Sequence, residues 1–179
     1  MAQRADGPKM MRNFAEALKH TLTEEGGFSD HPADPGGATM KGITLSTYRE
    51  YKRNLHLTPV DLRVIADDEV EDIYRKRYWT ACQCDVLPSG IDVCVFDTAV
   101  NSGPGRAAKI LQECVGATPD GSIGAGTLAA LSKADPKLVI LDYINKRQSY
   151  LESLKTFPIF GKGWTARVSR LKDLALKIA

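Results

Sequence analysis

The chain has no run of about 18 apolar residues, so no segment reads as a membrane-spanning helix. Its first twenty residues, MAQRADGPKMMRNFAEALKH, contain no continuous apolar core of the kind a secretory leader needs. The expectation is synthesis in the cytoplasm, with any work outside depending on a separate export route. Cysteine is scarce: of the four, Cys82 and Cys84 stand too close for the usual zinc hook, and the three histidines (His20, His31, His56) are scattered. Reduced, mostly buried thiols are expected, with no metal and no cofactor. No stretch alternates strictly between apolar and polar residues, which argues against a sandwich or barrel. There is no internal repeat or biased tract. The glycine pairs are not followed by Gly-Lys-Ser/Thr, so they do not form a phosphate loop.

What remains is an ordinary soluble globular composition. The 179 residues are 43% apolar and 26% charged, which excludes intrinsic disorder for the bulk of the chain. The net charge of +2 is unevenly distributed. From 136 to 179 there are nine basic residues against three acidic ones, a net +6, and the remainder carries −4. A basic C-terminal face suggests an anionic polymeric partner, or simply a solubilising surface. No nucleic-acid motif accompanies it, so nucleic acid is not an expected partner. A monomer is expected.

Helical signals dominate. Met11, Phe14, Leu18 and Leu22 form one apolar stripe from about Lys9, closed by Gly26-Gly27. Further helices are expected over 45–56, after Thr58-Pro59, after an Asp68/Glu71 capping box, over 90–101, 104–115 and 124–133, from Asp135-Pro136 to about Lys155, and from Trp164 to Ile178. The 90–101 segment is apolar nearly all round and should be the buried centre. The fold class is all-α, or α with a minor β-hairpin, with residues 1–8 a loose lead-in. Residues 26–43, with five glycines and two prolines, cannot be a regular helix and form a long shaped loop, with room for a short hairpin.

The chemistry concentrates where the first helix meets this loop. At 100° per residue from Phe14, Glu25 falls at about 20°, inside the apolar stripe, and Glu24 at about −80°, on the solvent side. A carboxyl on the stripe, at the negative end of a helix dipole, is favoured in its neutral form, as a general acid requires; the alternative, which the angle alone favours, is a glutamate that frays into water at the helix end. Asp34 lies nine residues on, in a Pro- and Gly-bounded turn that leaves it solvated and ionised; Asp30 competes with it. Two carboxyls in environments of opposite bias are the acid/base signature of glycoside hydrolysis. Thr39 could hold a water by its hydroxyl. Tyr78 and Trp79 could stack on sugar rings, although a helical Trp is commonly core. Asp97 and Asn101, one turn apart on the apolar helix, either line a cleft or buttress the loop.

The pattern E-G-G-F-x-x-x-P-x-D-P-G-G-x-T-x-x-G-I-T at 25–44 resembles the signature of glycoside hydrolase family 108, the phage-type endolysins and related muramidases. The resemblance continues through I-Y-R-K-R-Y-W (73–79), V-F-D-T-A-V-N-S-G-P (95–104), L-Q-x-x-V-G and D-G-S-I-G-A-G-T (111–127) and G-K-G-W-T-A-R (161–167). It implies a lysozyme-like helical fold and N-acetylmuramidase activity on peptidoglycan, with Glu25 as catalytic acid. Phe28 stands where the family more often has tyrosine. By analogy with phage lysozymes, Asp34 and Thr39 complete the catalytic set. The resemblance divides the chain into a catalytic part over 9–103 and a peptidoglycan-binding-like helical part over 104–179, packed as one unit. It implies action on the wall after holin- or system-mediated export. The rivals are a lytic transglycosylase using the same glutamate and a non-catalytic wall-binding or secretion-associated module.

Overall fold

The structure is a computed structural model that describes residues 7–30 and 37–179, with side chains from Asn13 onward. Asp34 and all but the last two residues of the expected lead-in lie outside the described residues. Nine α-helices and one small hairpin follow one another among the described residues: α1 (Gly7–Glu25), β1 (Thr39–Met40), β2 (Ile43–Thr44), α2 (Leu45–Lys52), α3 (Pro59–Arg63), α4 (Asp67–Tyr74), α5 (Ile91–Ser102), α6 (Pro104–Val115), α7 (Ala125–Leu131), α8 (Pro136–Glu152) and α9 (Phe157–Ile178). The class is all-α with a minor hairpin, as the patterning indicates.

The local signals act largely as expected. α1 stops at Gly26, whose φ of +74° is a conformation glycine adopts without strain. Asp61 accepts from the Thr58 N–H at 2.7 Å and Pro59 opens α3. Asp135 caps α8 by accepting from the N–H groups of Lys137 and Leu138. Two boundaries differ. The cap of α4 is Glu69 reaching back to the Ala66 N–H at 3.3 Å, rather than the Asp68/Glu71 pair. α9 begins at Phe157 rather than Trp164, because Pro158 fits the first helical turn and Phe157 packs on Gly161.

α5 is the axis of the molecule. Every residue from Ile91 to Ala99 is buried, and the helix packs against α1, α6, α8 and α9. Its start fixes the direction of its neighbours. A Cβ at Gly90 would lie 2.5 Å from the Ala175 carbonyl near the end of α9 and 2.7 Å from Ile140 Cδ1 near the start of α8. α5 therefore runs against α9 and along α8. After α4 the chain widens into a π-helical turn, Arg75–Thr80, before a 3₁₀ turn at Cys84–Val86. Wide turns of this kind accompany functional positions often enough to single out the residues they carry, here Tyr78 and Trp79.

Candidate active site

Glu25 is the last residue of α1, and its side chain is 22% exposed. Arg167 of α9 donates from Nη1 to Glu25 Oε1 at 2.8 Å. On the other side the hairpin closes over it. Gly42, with φ +74°, brings backbone so near that an added Cβ would lie 3.0 Å from Glu25 Oε2 and 2.5 Å from the Tyr74 hydroxyl. Tyr74 in turn donates to the Lys41 carbonyl at 2.8 Å, which ties the hairpin turn to α4. The glutamate is thus held between a cation from the last helix and a glycine in a tight turn. It reaches solvent without dangling in it.

Besides its place at the helix end, Glu25 has a partner that α1 alone does not foretell, the guanidinium of Arg167. Glu24 also departs from expectation. The angular argument places it toward solvent, yet Arg170 clamps it with two bonds of 2.8 Å and leaves its side chain 13% exposed. The reason is that α9 packs across the end of α1, covering a face that α1's own stripe leaves polar. The hydrogen bonds from Arg170 hold the Glu24 carboxyl below its ordinary range.

Arg167 is itself anchored. Its Nη2 donates to Asp97 at 2.8 Å and its Nε lies within 3.2 Å of both carboxylate oxygens. Arg147 of α8 donates to the same carboxylate at 2.7 Å, and the Thr21 hydroxyl at 3.0 Å. Asp97 is fully buried. Burial alone would raise its carboxyl; the two guanidinium groups outweigh that and hold it well below the carboxylate range. Arg167 likewise stays charged, because Asp97 and then Glu25 overcome the desolvation that would lower it. The buried cluster joins α1, α5, α8 and α9 directly behind Glu25.

This corrects two sequence-derived roles. Asp97 is fully buried and lines no cleft, and among the described residues its side-chain partners are Thr21, Arg147 and Arg167. Trp79, a candidate for stacking on sugar, is fully buried. Its ring meets Phe14 at 5.2 Å and Phe96 at 5.6 Å edge-on, and its Nε1 donates to Asp85 at 2.7 Å. It presents no face to a ligand. Tyr78, one residue earlier on the π turn, is half-exposed and lies 5.5 Å from the Tyr74 ring. Burial pushes the Tyr78 phenol up, Arg77 opposes this, and the charge of Glu25 adds to the rise, which places Tyr78 within the field of the glutamate. Burial drives the Tyr74 phenol far up, and Glu25 acts in the same direction.

Thr39 opens the hairpin. Its N–H donates to the Ser29 carbonyl at 2.8 Å and its carbonyl accepts from the Ser29 N–H at 2.9 Å. Backbone pairing thus holds Thr39 three residues from the glycine that touches Glu25. Asn101 is half-exposed at the last turn of α5, where its Oδ1 accepts from the Ser102 hydroxyl at 3.1 Å. Sequence reasoning missed Arg167, Arg147, Tyr74 and Gly42. Arg167 sits in the G-K-G-W-T-A-R motif, and Tyr74 stands one turn before Tyr78, so both carried a signal. Arg147, inside an otherwise apolar stripe of α8, carried one as well.

The basic tail also looks different in three dimensions. Arg147 and Arg167 are internal, Arg170 is paired to Glu24 and Lys146 to Asp142. Asp97, Glu25 and Glu24, all outside the tail, thus offset three of its six net positive charges, the Lys146–Asp142 pair being already within that count.

Comparison with known proteins bears on this arrangement. The family model described as glycosyl hydrolase 108 matches residues 18–103, which include Glu25, the hairpin and α5. Among solved structures, that of Brucella abortus SagA is 43% identical, with a TM-score of 0.83 over 94% of this chain and 96% of that chain. No curated protein matches.

Proposed function

The chain belongs to the glycosyl hydrolase 108 family, a peptidoglycan-directed glycoside hydrolase, and on that premise we propose that it is an N-acetylmuramidase of endolysin type whose acid is Glu25. The observation that carries the reading is the setting of Glu25, a part-exposed carboxyl at a helix end, gripped by Arg167 and overlaid by Gly42. Glu25 gives its proton to the glycosidic oxygen between N-acetylmuramic acid and N-acetylglucosamine as that bond breaks. Arg167 donates to Oε1 at 2.8 Å, which leaves Oε2 to carry that proton, and it stabilises the carboxylate that remains once the proton has gone. Gly42 and Tyr74 fix the side chain so that little reorganisation accompanies the transfer. Asp34, with Thr39, orients a water or steadies the oxocarbenium-like transition state. Tyr78 lines the sugar site. Such an enzyme reaches the wall through a holin or a dedicated export system.

A lytic transglycosylase remains the second reading, because Glu24, adjacent in the chain, and Asp97, which shares Arg167 with Glu25, are both committed. Asp97 is locked to two arginines and Glu24 to a third. A single acid that then acts as base needs neither. Glu25→Gln compared with wild type on permeabilised cells tests the role of Glu25: clearing by the variant at the wild-type rate would sink it. Mass spectrometry of the wild-type products separates the readings, since reducing ends mean hydrolysis and 1,6-anhydro ends mean transglycosylation.

A further inference from the structure

α9 contains two glycines in its first half, Gly161 and Gly163, and only one has a packing reason. A Cβ at Gly161 would lie 2.7 Å from the Phe157 ring, so its absence lets the helix start fold. A Cβ at Gly163 meets nothing within 4 Å among the described residues. Glycine in a helix interior weakens the helix, so a glycine in open space, inside a 22-residue helix, is a feature the fold does not require.

Its position gives it a meaning. Gly163 is four residues before Arg167 and Phe160 is seven before it, so at 3.6 residues per turn the three share one face of α9, spanning about 10 Å. Phe160 is 52% exposed, and its ring lies 5.7 Å from Trp164 at a shallow 34° tilt. Exposed large aromatic surface of this kind marks contact sites. α5 runs against α9, and Asp97 pairs with Arg167. Going from Asp97 to Asn101 on α5 therefore leads the same way as going from Arg167 to Phe160 on α9. A half-exposed amide, a bare stretch of helix and an aromatic platform thus extend in one direction from the glutamate.

We propose that this strip, Asn101–Gly163–Phe160 with the edge of Trp164, is a remote binding track for the glycan strand. Phe160 stacks on the apolar face of a sugar beyond the cleaved bond, and Gly163 leaves the strand room to lie against the helix. The occupant is the polymer itself, argued from continuity with the glutamate. The inference rests on the glycosidase reading and names how that enzyme holds a long substrate. Binding energy collected away from the reacting atoms serves to position them, so the track favours polymer over short fragments.

Sedimentation with insoluble peptidoglycan, in a Glu25→Gln background, measures strand binding apart from cleavage. Phe160→Ala and Gly163→Gln each weaken that binding at least about fivefold, while Gly163→Gln raises the melting temperature because it removes a helix glycine. In the active background both variants cleave the shortest oligosaccharide substrate at the parental rate. Parental binding by both variants overturns the proposal, as does an equal loss on the shortest substrate. A loss confined to binding of phosphatidylglycerol vesicles also overturns it, and identifies the aromatics as a lipid contact instead. Failure of the muramidase reading would appear separately, as undiminished hydrolysis by Glu25→Gln.

Discussion

Arg167 shares one guanidinium between two carboxylates of opposite accessibility: Nη1 meets the part-exposed Glu25 at 2.8 Å, while Nη2 and Nε hold the buried Asp97. The planar fork makes this possible, because its donors diverge at fixed angles. Asp97 and Arg147 lock the fork from behind, so one donor projects toward Glu25 with little freedom. The last helix of the chain thereby sets the position of the last residue of the first.

Replacing Glu25 by Gln keeps the size and most contacts but removes the transferable proton. Hydrolysis of purified peptidoglycan should fall by about 10²-fold or more, the usual worth of a general acid. The melting temperature should stay close to that of wild type. Turbidity decay and thermal denaturation on the same preparation check the pair of outcomes.

Arg167→Lys keeps the charge but loses the fork, which cannot then serve Glu25 and Asp97 together. The expected result is a fall in kcat with KM little changed and an altered pH–rate profile, since the group beside the acid has moved. Arg167→Ala should in addition destabilise the fold by about 3–5 kcal/mol, the cost of leaving Asp97 short of a buried partner. Kinetics across pH on the Lys variant distinguish a positioning role from a purely structural one.

Asp97 gives the protein an acid-sensitive brace. Its folded carboxyl is held below its unfolded value of about 3.9, so its contribution to stability is fully present above that pH. The contribution is lost as pH falls through the lower, folded value. Asp97→Asn should therefore be less stable at pH 7 by about 3–5 kcal/mol, and its stability should change less on acidification than that of wild type. Urea melts at pH 7, 4 and 3 measure both.

Gly42→Ala meets two obstacles. The added Cβ approaches the Tyr74 hydroxyl and Glu25, and φ of +74° is unfavourable for any residue with a side chain. The hairpin must move, costing roughly 1–3 kcal/mol and displacing the wall of the site. Activity should fall by a larger factor than the melting temperature alone explains. A variant as active as wild type would show that the hairpin does not shape the site.

The two neighbouring aromatics on the π turn should behave differently. Trp79→Ala should cost about 3–5 kcal/mol, as a core truncation does. Tyr78→Ala should leave the fold largely intact and, on the proposal that this half-exposed ring lines the sugar site, raise KM for peptidoglycan. Parallel melts and kinetics separate core from contact.

Much of the architecture is written in local pattern. The stripe from Phe14 to Leu22, the glycines that end it, the proline and aspartate caps and the all-round apolar run of α5 depend on interactions within one or two turns. One sequence therefore suffices to read them. The inward turn of Glu25 is legible for the same reason, since its angle follows from 3.6 residues per turn. What the pattern could not supply is which distant element lies against each face. Glu24 looks solvent-facing on α1 alone, and only the packing of α9 covers it. Arg147 reads as one more charge in a basic tail and Arg167 as packing that tail on the body, and only the fold makes both of them interior partners of Asp97. Trp79 and Tyr78 are adjacent and aromatic, and only the path of the widened turn sends one to the core and the other toward the glutamate. The sequence by itself determined the helices and the inward angle of Glu25, because both follow from short-range geometry. The tertiary structure alone decided what grips that acid, because a buried ion pair forms only between groups that the whole fold brings within hydrogen-bonding distance.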